Sequence, residues 1–445
     1  MTAEVMDNPP VVAGSARVDL SAPTTLADTG LSEDLITQLV VKLLHFNPIC
    51  TGVEIADRLG LEFTVVEPVL ESLKQSHQCE VVGGGVLGAP SFRYRMTDLG
   101  RRRAQLFLAH NQYVGPAPVP LAQYREYMTR FQQGRAGVVT PADLRQAVSH
   151  LVLSNRVINQ LGPAVTAGQS LFIYGAAGNG KTVIAQALHH LLEGPIAIPH
   201  ALEVEGHIIR LFNPINHQPI PDGPADSWTT EARRDRRWVL CQRPKVMVGG
   251  ELTMQSLDLA YSATTGFYNA PIQLLANGGL LVVDDFGRQA CSPRDLLNRW
   301  IVPLESRVDF LTLQSGQRFE LPFMTLVVFA TNIRPAELVD EAFLRRIQYK
   351  ICAESPTVDE FKAIFAGCCA TLGATAENGL VERLLIDYYR PRKIALRACH
   401  PRDLIKQALS LASYLDRSPH LTWELLEAAC AGYFVEDDEP ASVYA

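Results

Sequence analysis

The stretch that most constrains the fold is LFIYGAAGNGKTVIAQAL, which runs from Leu171 to Leu188. It reads as an apolar strand, a glycine-rich loop and an apolar-faced helix, and residues 175–182 have the spacing GxxxxGK[ST]. Glycines allow backbone N–H groups to close around a phosphate, and the helix that follows points the positive end of its dipole at the anion. The stretch therefore predicts a phosphate-binding loop.

Each position of this loop is a candidate for contact with a nucleotide. Lys181 can reach the outer phosphates, and the Thr182 hydroxyl can ligate Mg²⁺. A glycine-rich turn without a ligand is the alternative, which the flanking strand and helix disfavour. We expect ATP and Mg²⁺ as cofactors, and the predicted binding residues are Gly175, Ala176, Ala177, Gly178, Asn179, Gly180, Lys181 and Thr182.

Composition excludes several other classes of protein. A chain of 445 residues is expected to form two or three domains, and 47% hydrophobic with 20% charged residues is typical of a soluble globular protein. No apolar run reaches the ~18–20 residues that span a bilayer, so we expect no membrane insertion. The N-terminus lacks the pattern of a signal peptide, and nine cysteines without CxxC spacing indicate reduced thiols in a cytoplasmic protein.

Two further strands end in polar side chains. Leu280–Val283 is followed by Asp284 and Asp285, and the apolar run in FMTLVVFATN ends at Asn332. A carboxylate beside the phosphate loop can hold the Mg²⁺ shell, a second one can orient a water for attack on the γ-phosphate, and an amide can position that water. A polar turn after a strand is the alternative for the two aspartates. We predict Asp284, with Thr182, as the metal ligands.

These pieces, in this order, resemble the AAA+ ATPase family over roughly residues 152–434. The resemblance makes residues 175–182 the Walker A motif and residues 280–285 the Walker B motif, with Asn332 as sensor 1. It also implies roles for two arginines after a short helix and for one in HPRDLIKQALSLA: Arg345 or Arg346 as the arginine finger and Arg402 as sensor 2. The predicted catalytic residues are Lys181, Asp285, Asn332, Arg345, Arg346 and Arg402.

The resemblance implies a fold and an assembly. The fold is α/β, a P-loop parallel sheet with helices on both faces and a C-terminal helical lid. The assembly is a ring of identical subunits, a hexamer, that hydrolyses ATP to remodel a protein partner. Within the family, the chain resembles the enhancer-binding activators, although it lacks their GAFTGA loop. It also resembles the MoxR-type ATPases, and in ring-forming relatives the hairpin before sensor 1 faces the pore. The family usually has Asp-Glu where this chain has Asp284–Asp285, which favours slow turnover.

The pattern of elements predicts six regions along the chain. The N-terminal block reads helix, helix, helix, hairpin, helix, which is the order of a winged helix-turn-helix. The predicted regions are a disordered tail (1–30), a winged-helix-like domain (31–110), a linker (111–140), the nucleotide-binding α/β domain (141–354), the helical lid (355–436) and a second tail (437–445).

The partner of the winged-helix-like domain is open between protein and DNA. Capping boxes at Thr51 and Thr64 open its second and third helices, and the third would be the reading helix. That helix carries Glu67 and Glu71 on one face against a single Lys74, and carboxylates repel phosphates, so a protein partner is favoured over nucleic acid. The alternatives are a DNA-directed helicase loader or transcriptional regulator, and a slow nucleotide-gated switch.

The most basic stretch of the chain is EARRDRRWVLCQRPK, at residues 231–245, with six basic and two acidic residues. It is equally consistent with a pore lining, with contact to the nucleotide of a neighbouring subunit, and with a solvated charged loop.

Overall fold

The computed structural model describes residues 20–84, 88–133, 139–192, 194–221, 234–338 and 344–434. Its N-terminal part combines helices with a small antiparallel sheet in the strand order β1-β3-β2. The elements are α1 (Leu26–Thr29), α2 (Glu33–Phe46), β1 (Cys50–Thr51), α3 (Gly52–Leu59), α4 (Phe63–Gln75), β2 (Cys79–Gly83), β3 (Arg93–Met96) and α5 (Asp98–His110). We call the part from α2 to α5 the N-terminal module. Its helices and hairpin follow the order expected from the sequence, with the short strand β1 added.

Side-chain caps begin α2 and α3, and the capping box predicted at Thr51 is confirmed. Ser32 caps α2, and Thr51 caps α3 in a capping box. The predicted box at Thr64 is wrong, because α4 begins at Phe63 and has no side-chain cap. The Thr64 hydroxyl instead donates a hydrogen bond of 2.8 Å to the carbonyl oxygen of Thr24.

Residues 20–30 are folded, so the predicted disordered tail does not extend to residue 30; residues 1–19 lie outside the described ranges. Thr25 and Asp28 form the capping box of α1. The carbonyl oxygen of Leu20 accepts a hydrogen bond of 2.7 Å from the backbone N–H of Asp235. This segment is held by residues about 200 positions further along the chain, which a local composition of Pro, Ala and Thr does not indicate.

The region predicted as a linker at residues 111–140 contains a strand and a long helix, and this prediction is wrong. The two elements are β4 (Val119–Pro120) and α6 (Leu121–Gln133). Tyr124, Tyr127 and Met128 of α6 are buried, at the spacing that places side chains on one face of a helix. Proline-rich sequence before the helix and polar residues within it made the region look extended.

A five-stranded parallel sheet forms the centre of the following part, in the order β10-β13-β16-β5-β17. The elements up to its last strand are α7 (Pro141–Ala147), α8 (Asn155–Thr166), β5 (Leu171–Tyr174), α9 (Lys181–Ala187), β6 (Ile196–Pro199), β7 (Ala201–Val204), β8 (His207–Arg210), β9 (Trp238–Cys241), β10 (Lys245–Val248), β11 (Ala260–Ser262), β12 (Phe267–Asn269), α10 (Ile272–Leu275), β13 (Leu280–Val283), α11 (Pro293–Ser306), β14 (Val308–Thr312), β15 (Arg318–Pro322), β16 (Leu326–Thr331), α12 (Pro335–Leu338) and β17 (Tyr349–Cys352).

Helices cover both faces of this parallel sheet. Leu280 and Val282 of β13 belong to an apolar cluster shared with α7, α8 and α9, whereas Leu281 and Val283 belong to a cluster shared with α11. A parallel sheet must be covered on both faces, which is why its strands are continuous apolar runs. The predicted α/β fold class is confirmed.

A second sheet, in the order β11-β12-β8-β7-β4, packs against the N-terminal module. We call it the intervening sheet, because most of its strands lie between α9 and β13 in the chain. Ala201, Ile208 and Phe267 of this sheet belong to the same buried apolar cluster as helices α2 and α4. Asn111, the residue after α5, donates a hydrogen bond of 3.1 Å from its side-chain amide to the carbonyl oxygen of Gly266, the residue before β12.

Side chains of the basic stretch at residues 231–245 make contacts with other parts of the chain. Residues 231–233 lie outside the described ranges. Arg236 donates to the carboxylate of Asp57 and, at 3.0 Å, to the carbonyl oxygen of Leu61. Arg243 is buried, donates to two backbone carbonyls and lies over the ring of Phe131. The described contacts of Arg236 and Arg243 are therefore made within the chain, and the three interpretations of the stretch stay predictions.

The C-terminal part of the described chain is helical. Its elements are α13 (Val358–Leu372), β18 (Thr375–Ala376), α14 (Leu380–Arg383), a π-helical turn (Leu384–Tyr389), α15 (Arg390–Arg392), α16 (His400–Tyr414), β19 (His420–Leu421) and α17 (Trp423–Tyr433). A separate apolar core joins α13, α16 and α17. None of the helices in the described ranges has both the length and the apolar character that a bilayer span requires.

Candidate functional site

The phosphate loop, residues 175–182, links the carboxyl end of β5 to the first turn of α9. Gly175 has a φ of +145° and Gly178 a φ of +81°, in a region that residues with a side chain rarely adopt. A Cβ atom on Gly175 would lie 2.4 Å from the carbonyl oxygen of Ala353, and one on Gly178 would lie 2.5 Å from the sulfur of Cys399. The loop therefore requires glycine at both positions, for conformation and for space.

Lys181 is the buried cation of the loop, with 7% of the residue exposed. Its ammonium donates to the carbonyl oxygen of Ala176 at 2.9 Å and to Oδ1 of Asn332 at 2.6 Å. Burial lowers the pKa of Lys181, and the nearby carboxylates of Asp285 and Asp284 oppose that shift. Both hydrogen-bond acceptors are neutral oxygens, so an anionic ligand would stabilise this charge further.

Thr182 and Asp284 meet directly. The Thr182 hydroxyl lies 3.0 Å from Oδ1 and 2.9 Å from Oδ2 of Asp284. Asp284 follows the last residue of β13, which β16 separates from β5 in the sheet order. The parallel strands bring Asp284 and the loop that leads to Thr182 to the same edge of the sheet. A hydroxyl and a carboxylate are the oxygen ligands that Mg²⁺ prefers, so these two residues fit the predicted metal.

Asp285 and Asn332 complete the cluster. The Asn332 side chain donates from Nδ2 to Oδ1 of Asp285 at 3.0 Å, while its own Oδ1 accepts from Lys181. These two contacts determine the orientation of the amide. Asp285 has a φ of +46°, in the left-handed region. Five residues that the sequence predicted separately thus lie together at the carboxyl edge of the sheet: Lys181, Thr182, Asp284, Asp285 and Asn332.

Arg345 and Arg346 lie at the opposite edge of the sheet. They come just before β17, whose first residue Tyr349 pairs with Leu171 at the start of β5, whereas the phosphate loop follows the end of β5. Four strand residues at about 3.3 Å each separate the two edges by about 13 Å. Arg346 pairs with Glu305 at 2.7 Å, beside a cavity of about 470 Å³ that Arg345 also lines. Two other pairing candidates, Asp340 and Glu341, lie outside the described ranges.

Arg402 does not join the cluster through its described contacts. It lies in the first turn of α16, and its Nε donates to the neighbouring Asp403 at 2.9 Å. Its role as sensor 2 stays a prediction.

Arg397 is a residue of this site that sequence reasoning missed. Its Cβ lies 3.5 Å from the position of a Cβ on Gly178, and its guanidinium donates to Ser355 at 2.7 Å. The charge of Arg397 also contributes to the lowered pKa of Lys181. It precedes α16 in a loop without a recognisable motif, so nothing in the local sequence points to it.

The C-terminal helices contact the phosphate loop through its backbone. The N–H of Cys399 donates to the carbonyl oxygen of Gly178 at 2.8 Å, and Asn179 donates from its side chain to Ala353 at 3.0 Å. The start of α16 and the residues after β17 therefore hold the loop from outside. A movement of these helices would change the shape of the loop.

Comparison with known proteins adds a family match and loose similarities to solved structures. Residues 357–432 match the family described as a domain of unknown function (DUF8689), which covers most of the C-terminal helices. No curated protein matches the chain in sequence.

Among solved structures, the chain is similar to NtrX from Brucella abortus in complex with ADP, at 13% identity and a TM-score of 0.40 over 70% of this chain. That match spans 61% of the NtrX chain, less than two thirds of its length. The chain is also similar to a mutant of RuvB from Thermotoga maritima, at 12% identity and a TM-score of 0.36, over 66% of this chain and 70% of that one. Similarities this loose carry no functional argument. The strand order, the glycine loop and the helices on both faces make this chain an α/β protein with a P-loop sheet.

Proposed function

We propose that this chain is a Mg²⁺-dependent ATP hydrolase of the AAA+ type. The observation that carries the proposal is the side-chain cluster at the carboxyl edge of the central sheet. There Lys181, Asp285 and Asn332 are joined by hydrogen bonds of 2.6 Å and 3.0 Å, beside the Thr182–Asp284 contact. A buried cation, two carboxylates, a hydroxyl and an amide next to a glycine loop are the groups that phosphoryl transfer to water requires.

Each residue has a distinct role in the proposed reaction. The loop N–H groups and Lys181 hold the phosphates, and Thr182 with Asp284 would hold Mg²⁺, which neutralises charge on the phosphate oxygens when bound. Asp285 accepts a hydrogen bond from a water and orients it for attack in line with the leaving group. Asn332 holds the side chains of Asp285 and Lys181 in a fixed position relative to each other, because its amide contacts both.

The test is ATP binding and turnover in three variants. Lys181→Ala should abolish binding of labelled ATP, since it removes the buried cation of the loop. Asp285→Asn should keep ATP affinity within about threefold and lower turnover by ~10²-fold or more, because an amide cannot polarise water as a carboxylate does. Glu80→Gln, on an exposed strand of the N-terminal module, is the control and should match the wild type. Turnover of Asp285→Asn at the native rate would refute the assignment.

The opposite placement of Arg345 and Arg346 supports a ring of identical subunits. At about 13 Å from the edge that carries their own phosphate loop, they cannot reach a γ-phosphate bound there, but an adjacent subunit could bring its loop to them. The hexamer implied by the AAA+ resemblance supplies such a neighbour.

A protein partner fits the N-terminal module better than duplex DNA does. Other parts of the chain contact the start of α4, the candidate reading helix: Thr64 donates to Thr24, and Arg236 donates to Leu61 just before the helix. Its accessible face carries the carboxylates of Glu67 and Glu71. A gel shift of the full chain on duplex DNA, at low and moderate salt, tests this point. Binding with a steep salt dependence would favour the DNA-directed alternative.

A further inference from the structure

The turn that follows β13 is held by Gln289. Its Oε1 accepts a hydrogen bond from the N–H of Gly287 at 2.8 Å. Its Nε2 donates to the carbonyl oxygen of Asp284 at 2.9 Å and to that of Asp285 at 3.2 Å. Both ends of one carboxamide are therefore engaged, and the reversed orientation would place like atoms against each other at all three contacts.

This turn needs such support because its backbone is strained. Asp285 has a φ of +46° and Gly287 a φ of +103°. The left-handed region is unfavourable for a residue with a side chain, and aspartate tolerates it better than glutamate does. The conformation determines where the Asp285 side chain points, because Cβ leaves the backbone in a different direction from that of an extended strand. In this direction the short aspartate reaches Asn332 at 3.0 Å.

We propose that Gln289 is a positioning residue for ATP hydrolysis. By holding the left-handed turn, its carboxamide directs the Asp285 carboxylate toward Asn332 and the attacking water. The proposal rests on the hydrolase function proposed above. It also accounts for Asp-Asp in place of the Asp-Glu that is usual in the AAA+ family: in this turn the shorter acid is the one that the backbone accommodates.

The first test separates turnover from binding in Gln289→Ala. We expect kcat to fall by about 10- to 100-fold, the range for a shift of about 1 Å in a catalytic group. We expect Kd for labelled ATP to change by less than about threefold, because Gln289 contacts neither the phosphate loop nor Lys181 among the described residues. Gln105→Ala, exposed on α5, is the matched control and should hydrolyse ATP at the wild-type rate.

The second test asks whether Gln289 acts through Asp285. In single-turnover measurements, Gln289→Ala should lower the rate of the wild type but not lower the residual rate of Asp285→Asn any further, because two residues that act as one unit are not additive. Gln289→Glu keeps the acceptor for Gly287 but loses both donors, so it should fall as Gln289→Ala does; it also serves as the test variant if the alanine protein does not fold.

Three outcomes would overturn the proposal. The first is a wild-type rate in both Gln289 variants, and the second is a loss of ATP affinity as large as the loss of kcat. The third is an additional loss in the Asp285→Asn background. A wild-type chain that binds but never hydrolyses ATP would refute the hydrolase function as well, so the two failures are distinguishable.

Discussion

Arg237 provides the sharpest prediction about stability, because it is almost fully buried and every contact of its guanidinium is known. Its side chain is 2% exposed and that of its partner Asp235 is 5% exposed. The guanidinium donates to both carboxylate oxygens of Asp235 at 2.8–3.0 Å, to the carbonyl oxygen of Thr29 at 3.0 Å and to Gln123 at 3.1 Å. It thereby joins the N-terminal segment, α6 and the strand β9.

The variant Arg237→Ala should destabilise the protein by about 3–5 kcal/mol, since it leaves the Asp235 carboxylate buried without a counter-charge. Arg237→Lys should recover only part of this loss, because an ammonium cannot reproduce the forked geometry of the guanidinium. Removing Asp235 as well should restore some stability, because no lone buried charge remains.

The assay is the urea midpoint, with limited proteolysis near residues 20–30 as a local readout. Arg95→Ala is the matched control. It breaks an ion pair with Glu80 in which both side chains are about half exposed, and such a pair contributes about 0–1 kcal/mol. If Arg237→Ala were as stable as Arg95→Ala, the buried contacts would not be holding the N-terminal segment to the sheet.

Three other predictions concern assembly, metal and pH. An Arg345→Ala, Arg346→Ala double variant should bind ATP but hydrolyse it poorly, since an arginine finger contributes ~10³–10⁵ to kcat in related chemistry. Mixing it with Lys181→Ala subunits should restore part of the rate. No rescue, together with turnover that does not depend on protein concentration, would refute the ring. Asp284→Asn should weaken Mg²⁺-dependent ATP binding in a Mg²⁺ titration while leaving Mg²⁺-independent binding unchanged. Burial lowers the pKa of Lys42 in the folded protein to about 8, whereas the unfolded chain keeps this proton up to about pH 10.5. The free energy of unfolding should therefore rise between about pH 8 and 10.5, by at most ~3 kcal/mol. The urea midpoint of Lys42→Met should lack this rise.

The central site was predictable because its information is local. Each strand that enters it is an apolar run, and each run ends in the polar residue that the site uses, as in Val283 followed by Asp284 and Thr331 followed by Asn332. Because the strands are parallel, those ends lie at the same edge of the sheet. The left-handed turn at Asp285 and its support by Gln289 are not visible in this pattern. They depend on the backbone angles of the turn, and the residue types at these positions do not by themselves determine those angles.

The N-terminal half was harder to predict because long-range contacts decide it. Arg236 and Arg237 read as exposed charges in a basic run, yet their partners Asp57 and Thr29 lie about 180 and 210 positions earlier in the chain. The same holds for α6, whose tyrosines are buried against distant parts of the chain. Tyr124 and Tyr127 pack against Trp238, and the Tyr127 hydroxyl accepts a hydrogen bond from the N–H of Ala197. A polar local sequence predicts solvent exposure, and this prediction fails where a segment distant in sequence packs over the residues.

A buried asparagine connects these distant contacts to the candidate active site. Asn277 donates to the hydroxyl of Tyr124 in α6 at 2.8 Å and to the carbonyl oxygen of Pro322 at 2.9 Å, and it accepts from the N–H of Met324 at 2.8 Å. It lies three residues before β13, the strand that Asp284 follows. Because α6 and the β14–β15 hairpin share one buried core, one face of the hairpin packs inside the subunit. Its turn is exposed, as are Thr312, Arg318 and Glu320 on its other face. A partner that displaces α6 would therefore disturb the strand that precedes Asp284, the proposed metal ligand, and a partner that contacts the hairpin would meet its turn and its exposed face.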